Sequence, residues 1–472
     1  MRKTKIICTL GPAVDSDEML KKLIENGMNI ARFNFSHGTH AEQKERMDRL
    51  KRIREDMKVP VGILLDTKGP EIRLKNFAEG EIKVRSKQIF TLDSDKETPG
   101  NSERIGISFG NLGMYLKTDD QILIDDGKIE LRVVKIEGDS IRCRVMNGGV
   151  LKNHKSLNIP NVSIPMDYIS EVDKRDILFG IEQDVDYVAA SFTRSPRDVI
   201  EMRYLLNQNG GENIKLICKI ENTQGVKNLD EIIRLSDGIM IARGDLGVEV
   251  PFKEVPALQK MIIEKCIQAG KLVVTATQML ESMTLSPRPT RAEVSDIANA
   301  VYDGTTAIML SGESASGKYP AEAVFTMAEI ANATEKSIDY NKIHNKYSKI
   351  VEKTIKDATC KVACEAAEYL GASAIVTVTR SGKTGFMLSG FRPECPIIAA
   401  VVDPKGMRQL NLAWGVTSIE ASEQETVDAL YEYAKQEALS SGIVHNGDKI
   451  VIVTGSGTTK GNVSDTIRIC EL

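Results

Sequence analysis

Long apolar runs are missing from this chain: no stretch approaches the roughly 18 residues that span a bilayer. The N-terminal MRKTKIICTLGP meets Asp15 and Asp17 before any signal-like apolar region develops. A cytoplasmic protein without a membrane partner is therefore expected. Aromatic residues are sparse at 5%, with Trp414 the single tryptophan, so the chain offers no stacking platform for single-stranded nucleic acid. No block of one charge exists either. The 62 Lys and Arg against 66 Asp and Glu leave a net charge of −4 spread along the chain, which argues against nucleic acid or an anionic membrane as partner. The eight cysteines (Cys8, Cys143, Cys218, Cys266, Cys360, Cys364, Cys395 and Cys470) include no CxxC pair, and a chain of this length needs no disulfide staples. They are expected to be reduced and mostly buried. Cys360 and Cys364, at i,i+4 on a helical pattern, lack neighbouring zinc ligands and read as core.

What is present is a globular composition over 472 residues, 42% hydrophobic and 27% charged, enough for about three domains. Eight short β-rich runs end in polar or glycine residues: KIICTLG from 5, NIARFNFS from 29, VGILLDT from 61, DYVAASF from 186, IKLICKIE from 214, GIMIARGD from 238, LVVTATQ from 272 and AIMLSGE from 307. Their continuous apolar character requires burial on both faces, as parallel strands with crossover helices provide. Eight such units predict an α/β fold, a (β/α)8 TIM barrel, with its site at the C-terminal strand ends. The barrel is expected over 1–69 and 167–340. Between them, 70–166 alternates in period two and breaks at Asp-Gly and Gly-Asp turns, which predicts an inserted all-β domain placed as a lid over the site. A composition shift near 340 predicts a C-terminal α/β domain over 341–472.

The strand ends carry a lopsided inventory. Strand two ends in Arg32, Asn34, Ser36 and His37, and strand three in Asp66 and Thr67, followed by Lys68 and Arg73. Strand five supplies Lys219 and Glu221, strand six Arg243 and Asp245, strand seven Thr275 and Thr277, and strand eight Ser311 and Glu313. Glu221 and Asp245 end adjacent strands with no His or Cys beside them, an oxygen-only set that suits Mg²⁺ or Mn²⁺ rather than Zn²⁺. The same spacing also allows a structural ion pair of Glu221 with Arg243 or Lys219. Lys219 shares a strand face with Glu221, where an ammonium beside a divalent metal can neutralise a transferring phosphoryl group while Arg32 grips phosphate with its planar fork. A Schiff-base lysine is the alternative, but adjacent carboxylates push the amine pKa up. ARGDLGVEVP sets Gly244 and Asp245 before a helical pattern, a turn able to hold an anion on free N–H groups. His37 and His40 lack a third ligand for metal; a nucleotide contact or a helix start suits them better.

In the C-terminal region, AIVTVTRSGKT ends a strand in Gly382, Lys383 and Thr384 but has Thr377 where a Walker motif needs its first glycine. As an anion nest, this turn and VTGSGTTKG from 453 point either to an effector site or to ordinary loops.

Seven strings in one order, TKIICTLGP, ARFNFSHG, LLDTKGPEIR, ICKIEN, IARGDLGVE, TATQMLESM and MLSGESASGKYP, span the chain and resemble the pyruvate kinase family. The resemblance implies phosphoryl transfer from phosphoenolpyruvate to ADP, giving pyruvate and ATP in glycolysis, with Mg²⁺ (or Mn²⁺) and K⁺, in a homotetramer. By matching position it makes Lys219, Arg32 and Thr277 catalytic. Arg32, Lys219, Gly244, Asp245 and Thr277 become substrate contacts, and Asn34, His37, Arg73 and Lys155 nucleotide contacts. Glu221 and Asp245 become Mg²⁺ ligands, and Asn34, Ser36, Asp66 and Thr67 the K⁺ site, Thr67 through its carbonyl. Glu71 resembles the residue of K⁺-dependent members. Thr379, Ser381, Gly382, Lys383 and Thr384 resemble the family's sugar-phosphate effector loop, with Lys383 where many members carry Arg; fructose 1,6-bisphosphate is the first expectation, AMP or another sugar phosphate the alternative. The chain departs from the family in KNHKSLNIPN, where Ser156 and Asn161 replace glycines, and it stops at Leu472 without the extra C-terminal domain of some bacterial relatives. The proton donor to the enolate stays open among Thr277, Ser311 and water. A metal-dependent aldolase or lyase acting on pyruvate enolate is the competing enzyme reading, and a catalytically silent sugar-phosphate sensor the competing binding reading.

Overall fold

The computed structural model describes residues 1–95, 97–340, 354–455 and 464–472. Eight parallel strands close a barrel: Lys5–Thr9, Ile30–Asn34, Gly62–Asp66, Tyr187–Ala190, Lys215–Ile220, Gly238–Ala242, Leu272–Ala276 and Ala307–Leu310. Nearly every residue in them is buried, because helices cover the outside and side chains fill the inside. That double burial produces the unbroken apolar runs seen in the sequence. Helix starts are capped from the sequence: Thr39, Ser195 and Thr290 each form a reciprocal capping box with the residue three positions on.

After the third strand the chain enters two sheets of its own. The larger runs in the order Ile72–Arg73, Ser156–Asn158, Gln121–Ile124, Ile129–Glu137, Ser140–Val145, Ile89–Asp93, Arg104–Gly106, and a hairpin-like pair joins Glu81–Val84 to Gly149–Lys152. Its core, from Ile72 to Ile159, is a cluster separate from that of the barrel. Asn161 adopts φ of 66°, in the left-handed region that Asn tolerates better than other side chains.

The C-terminal sheet has five strands in the order Val416–Glu420, Ile397–Val401, Ala374–Thr379, Lys449–Thr454, Thr466–Glu471, the last one antiparallel. The sequence pattern shows only the first four, because Thr466–Glu471 is a half-exposed edge strand without a continuous apolar run. This domain also closes the barrel floor. Leu412, fully buried, packs in one cluster with Ile7, Ile30, Leu64, Ile217, Met240 and Met309 from inside the barrel. Around it, Arg408 pairs with Asp186 at 2.8 Å, Lys5 Nζ donates to the Val416 carbonyl at 2.7 Å, and Asn411 Nδ2 donates to the carbonyls of Asn29 and Pro60. Cys360 and Cys364 lie in the C-terminal core as expected, and all eight cysteines are free thiols, six of them buried. No helix among the described residues is long and apolar enough to cross a membrane.

Candidate active site at the barrel mouth

The C-terminal ends of strands two to six converge on one buried polar knot. Register places Asp66 level with Asn34 on one side and Ala189 on the other. Its carboxylate, fully buried, accepts from Arg32 Nε at 2.6 Å and from Lys219 Nζ at 3.1 Å. Burial by itself would raise the Asp66 pKa; the charges of Arg32 and Lys219 outweigh it and hold the group below the ordinary range. Arg32 is further fixed by Nη1 donating to Thr9 Oγ1 at 2.8 Å.

Lys219 Nζ sits at the centre. It donates to Ser191 Oγ at 2.8 Å and lies 3.0 Å from Glu221 Oε1. Burial pulls its pKa down, but Asp66 and Glu221 more than reverse that, so the ammonium is held protonated above its ordinary range. An amine of this kind is a fixed positive charge, not a Schiff-base nucleophile. Of the two structural ion pairs considered for Glu221, the one with Lys219 forms. Arg243 instead reaches Asp296 at 2.7 Å and the Thr277 carbonyl at 2.7 Å.

Glu221 stands just beyond the fifth strand and Asp245 in the first turn of the helix Arg243–Glu249 after the sixth. They face each other closely enough to share a side-chain hydrogen bond, and burial pushes both carboxyls above their ordinary pKa. Glu221 Oε2 accepts the Phe192 N–H at 2.6 Å, and Oε1, buried, has the Lys219 ammonium as its charge partner at 3.0 Å. Two buried carboxylates facing each other, an oxygen-only donor set, fit a hard divalent cation that takes its remaining ligands from water or substrate. No set of three or more His, Cys, Asp or Glu suited to a metal occurs among the described residues.

Thr277 follows the seventh strand with φ of 71°, unusual for a β-branched residue, and Gln278 beside it has φ of 53°. Thr277 Oγ1 accepts the Gly244 N–H at 2.8 Å. A carboxylate seated at this turn must therefore share or displace that hydroxyl. The four residues of the expected K⁺ set are neighbours. Asn34 Oδ1 accepts the Ser36 N–H at 3.1 Å, the Phe35 N–H donates to the Asp66 carbonyl, and the Thr67 carbonyl accepts from Ser191 Oγ at 2.6 Å.

Residues 1–324 match the family model of the pyruvate kinase barrel domain, and 357–470 that of the pyruvate kinase alpha/beta domain. The chain belongs to the pyruvate kinase family. Its sequence is 46% identical over 472 residues to the pyruvate kinase of Clostridium acetobutylicum, covering 100% of this chain and 99% of that one. To that of Bacillus licheniformis it is 47% identical over 465 residues, covering 97% and 79%. A crystal structure of a pyruvate kinase from Cryptosporidium parvum matches with a TM-score of 0.94 at 37% identity, covering 100% of this chain and 96% of that one. The chain is thus a phosphotransferase of the pyruvate kinase type; membership implies phosphoenolpyruvate and ADP as substrates, and the aldolase or lyase alternative is not favoured. Divalent metal and potassium are typical of the family.

The remaining family-matched residues lie at the edge of this knot. Arg73, paired in register with Ser156 in the insert, holds Glu71 through Nε and Nη2 and the His154 carbonyl through Nη1. Lys155 pairs with Asp125 at 2.7 Å, at the hairpin tip whose next residue, Asp126, acts electrostatically on Asp245. His37 is exposed and no described side chain bonds its ring; its carbonyl accepts from Gln43. His40 opens its helix and stacks on Phe179 while bonding Asp176 at 2.6 Å, a structural role. Ser311 and Glu313 belong to the wall, with Glu313 accepting the Leu280 and Ser311 N–H groups.

Three participants escape the sequence reading: Ser191, Thr9 and the Phe192 N–H. The polar ending AASFT of strand four is the one signal that marked Ser191, since every other strand end contributes a side chain. Phe192, with φ of 51°, contributes only its backbone.

In the C-terminal domain, the turn Thr379 to Thr384 leaves the central strand at the point where strand order reverses, a usual ligand crevice in open α/β sheets. Gly382, φ of 80°, starts the helix Lys383–Gly390, and a Cβ there would come within 2.9 Å of Leu410. Ser381 packs against Gly406, and Thr384 Oγ1 meets Ser464 Oγ at 2.6 Å. Of the second expected turn, VTGSGTTKG from 453, residues 456–461 lie outside the described residues.

Proposed function

We propose that this chain transfers the phosphoryl group of phosphoenolpyruvate to ADP at the knot around Lys219, in the cytoplasm, and that a sugar phosphate activates it through the turn Thr379 to Thr384. The supporting observation is the Lys219 ammonium, held by Asp66, Ser191 and Glu221 beside a second buried carboxylate. Phosphoryl transfer demands alignment and charge neutralisation more than covalent chemistry, and this arrangement supplies both. Arg32, locked by Asp66 and Thr9, binds the phosphate. Lys219 neutralises the group in transit and the enolate left behind. Asp66 acts by aiming these two cations, and Ser191 by fixing the Lys219 rotamer. Thr277, with the Gly244 and Asp245 turn, orients the substrate carboxylate.

Glu221 and Asp245 are assigned to Mg²⁺ or Mn²⁺, which when bound supplies Lewis-acid polarisation of phosphoryl and enolate oxygens. Asn34, Ser36, Asp66 and the Thr67 carbonyl are assigned to K⁺; Asn34, His37, Arg73 and Lys155 to the nucleotide. The domain bounds that go with this reading are 1–69 and 167–340 for the barrel, 70–166 for the insert and 341–472 for the effector domain, and the assembly proposed is a homotetramer. A coupled assay of pyruvate formation, omitting Mg²⁺, K⁺ and fructose 1,6-bisphosphate in turn, tests each part: loss of rate on each omission is expected. Equal rates without K⁺ reject the K⁺ assignment, and indifference to fructose 1,6-bisphosphate redirects the effector search to AMP and other sugar phosphates.

A further inference from the structure

The insert has its own apolar core, so nothing like a shared hydrophobic interior sets its angle over the barrel mouth. The seam between them is open: a cavity of about 250 Å³ lies there, walled by Ser156–Ile164 on one side and by Phe192, Asn222, Gln224 and Glu249 on the other. Across this seam the described residues make one side chain to side chain hydrogen bond, Asn158 Nδ2 to Glu249 Oε1 at 3.0 Å. The other bond between insert and barrel, Arg194 Nη2 to the Met166 carbonyl at 3.0 Å, falls at the junction where the chain re-enters the barrel.

Both partners stand where an angle matters. Glu249 ends the helix whose first turn carries Asp245, about 6 Å along the axis at 1.5 Å per residue. Asn158 pairs in register with Leu123, on the strand that runs to the hairpin tip Asp125 and Asp126.

We propose that Asn158 is a positioning residue for phosphoryl transfer: through Glu249 it holds the insert at the angle that brings Arg73 and Lys155 to the barrel mouth. The open seam gives the insert room to rock when this bond breaks. This rests on the pyruvate kinase reading of the site.

The test uses the full chain with Asn158→Ala, Asn158→Asp and Glu249→Gln, assayed for kcat and KM of each substrate, for amide hydrogen exchange over 70–75 and 156–166, and for thermal midpoint. A hydrogen bond to a charged group is worth about tenfold in an equilibrium. Asn158→Ala is therefore expected to lower kcat/KM for ADP roughly tenfold, mainly through KM, with faster exchange in those two segments and an unshifted midpoint. Asn158→Asp, nearly isosteric, should be worse than Ala because it sets carboxylate against carboxylate. Glu249→Gln keeps an acceptor oxygen and should stay within about threefold of the parent. Parental KM and exchange in Asn158→Ala, an Asp variant no worse than Ala, or a loss confined to midpoint and kcat each overturn the proposal. An inactive parent chain instead overturns the pyruvate kinase reading.

Discussion

Replacing Lys219 by Met tests the central electrostatic argument, because it removes one charge while keeping the length of the side chain. In the structure that charge lies 3.1 Å from Asp66 and 3.0 Å from Glu221, in a buried setting. A unit charge about 4 Å from a developing charge, at an effective dielectric of about 20, contributes about 4 kcal/mol, or about 10³-fold in rate. Losses of 10³ or more on removing a cation from a transferring phosphoryl group agree with this. The variant should therefore lose about 10³-fold or more in kcat in the coupled pyruvate assay. Folding is a separate matter: Asp66 keeps Arg32, while Glu221 is left beside Asp245 with less opposing charge, so both carboxyls take up protons more readily. Circular dichroism melting distinguishes a folded, inactive variant from a collapsed one. Turnover within tenfold of the parent in a folded variant would remove Lys219 from the chemistry.

Thr277→Ala leaves the Gly244 N–H without its acceptor and should lower kcat/KM for phosphoenolpyruvate by about 10-fold or more; parental kinetics would show that the hydroxyl does not seat substrate. In chelator-treated protein, Glu221 and Asp245 have raised folded pKa values, so the folded state binds more protons than the unfolded one between the ordinary carboxylate range and the raised values. Their contribution to stability is full below that range and is lost as pH rises through the raised values; thermal midpoints should fall along that interval, less steeply in Glu221→Gln, and equal slopes would refute the assignment. Glu71→Lys removes the partner that holds Arg73 and should weaken the dependence of the rate on K⁺; an unchanged K⁺ response separates Glu71 from the monovalent site. Leu412→Ala, at the barrel floor, should cost about 2–5 kcal/mol in chemical denaturation, and a loss under about 1 kcal/mol would mean the floor collapses to refill the space.

Much of this was legible in the sequence for one reason: strands buried on both faces cannot disguise themselves, and their polar last residues must converge if the strands close into a ring. Arg32, Asp66, Lys219, Glu221 and Asp245 are read that way without any coordinates. The inserted domain was equally plain, since period-two alternation cannot be confused with double burial. What stayed hidden is carried by backbone or by angle. The Phe192 N–H that braces Glu221 has no residue signature, and the edge strand Thr466–Glu471 has too little burial to write a pattern. The seating of Asn158 on Glu249 depends on how two separately folded bodies meet, which no local rule encodes.

The stopper that Leu412 makes in the far end of the ring has a bearing on how this enzyme can be dissected or diversified. A catalytic half expressed without residues beyond 340 would present an unlidded greasy shaft to water, so loss of activity in such a fragment says nothing about regulation. For the same reason, substitutions between 408 and 416 should behave as interior changes to the barrel even though they lie in the other domain, and libraries or chimaeras that treat the two halves as interchangeable blocks will be limited by that seal.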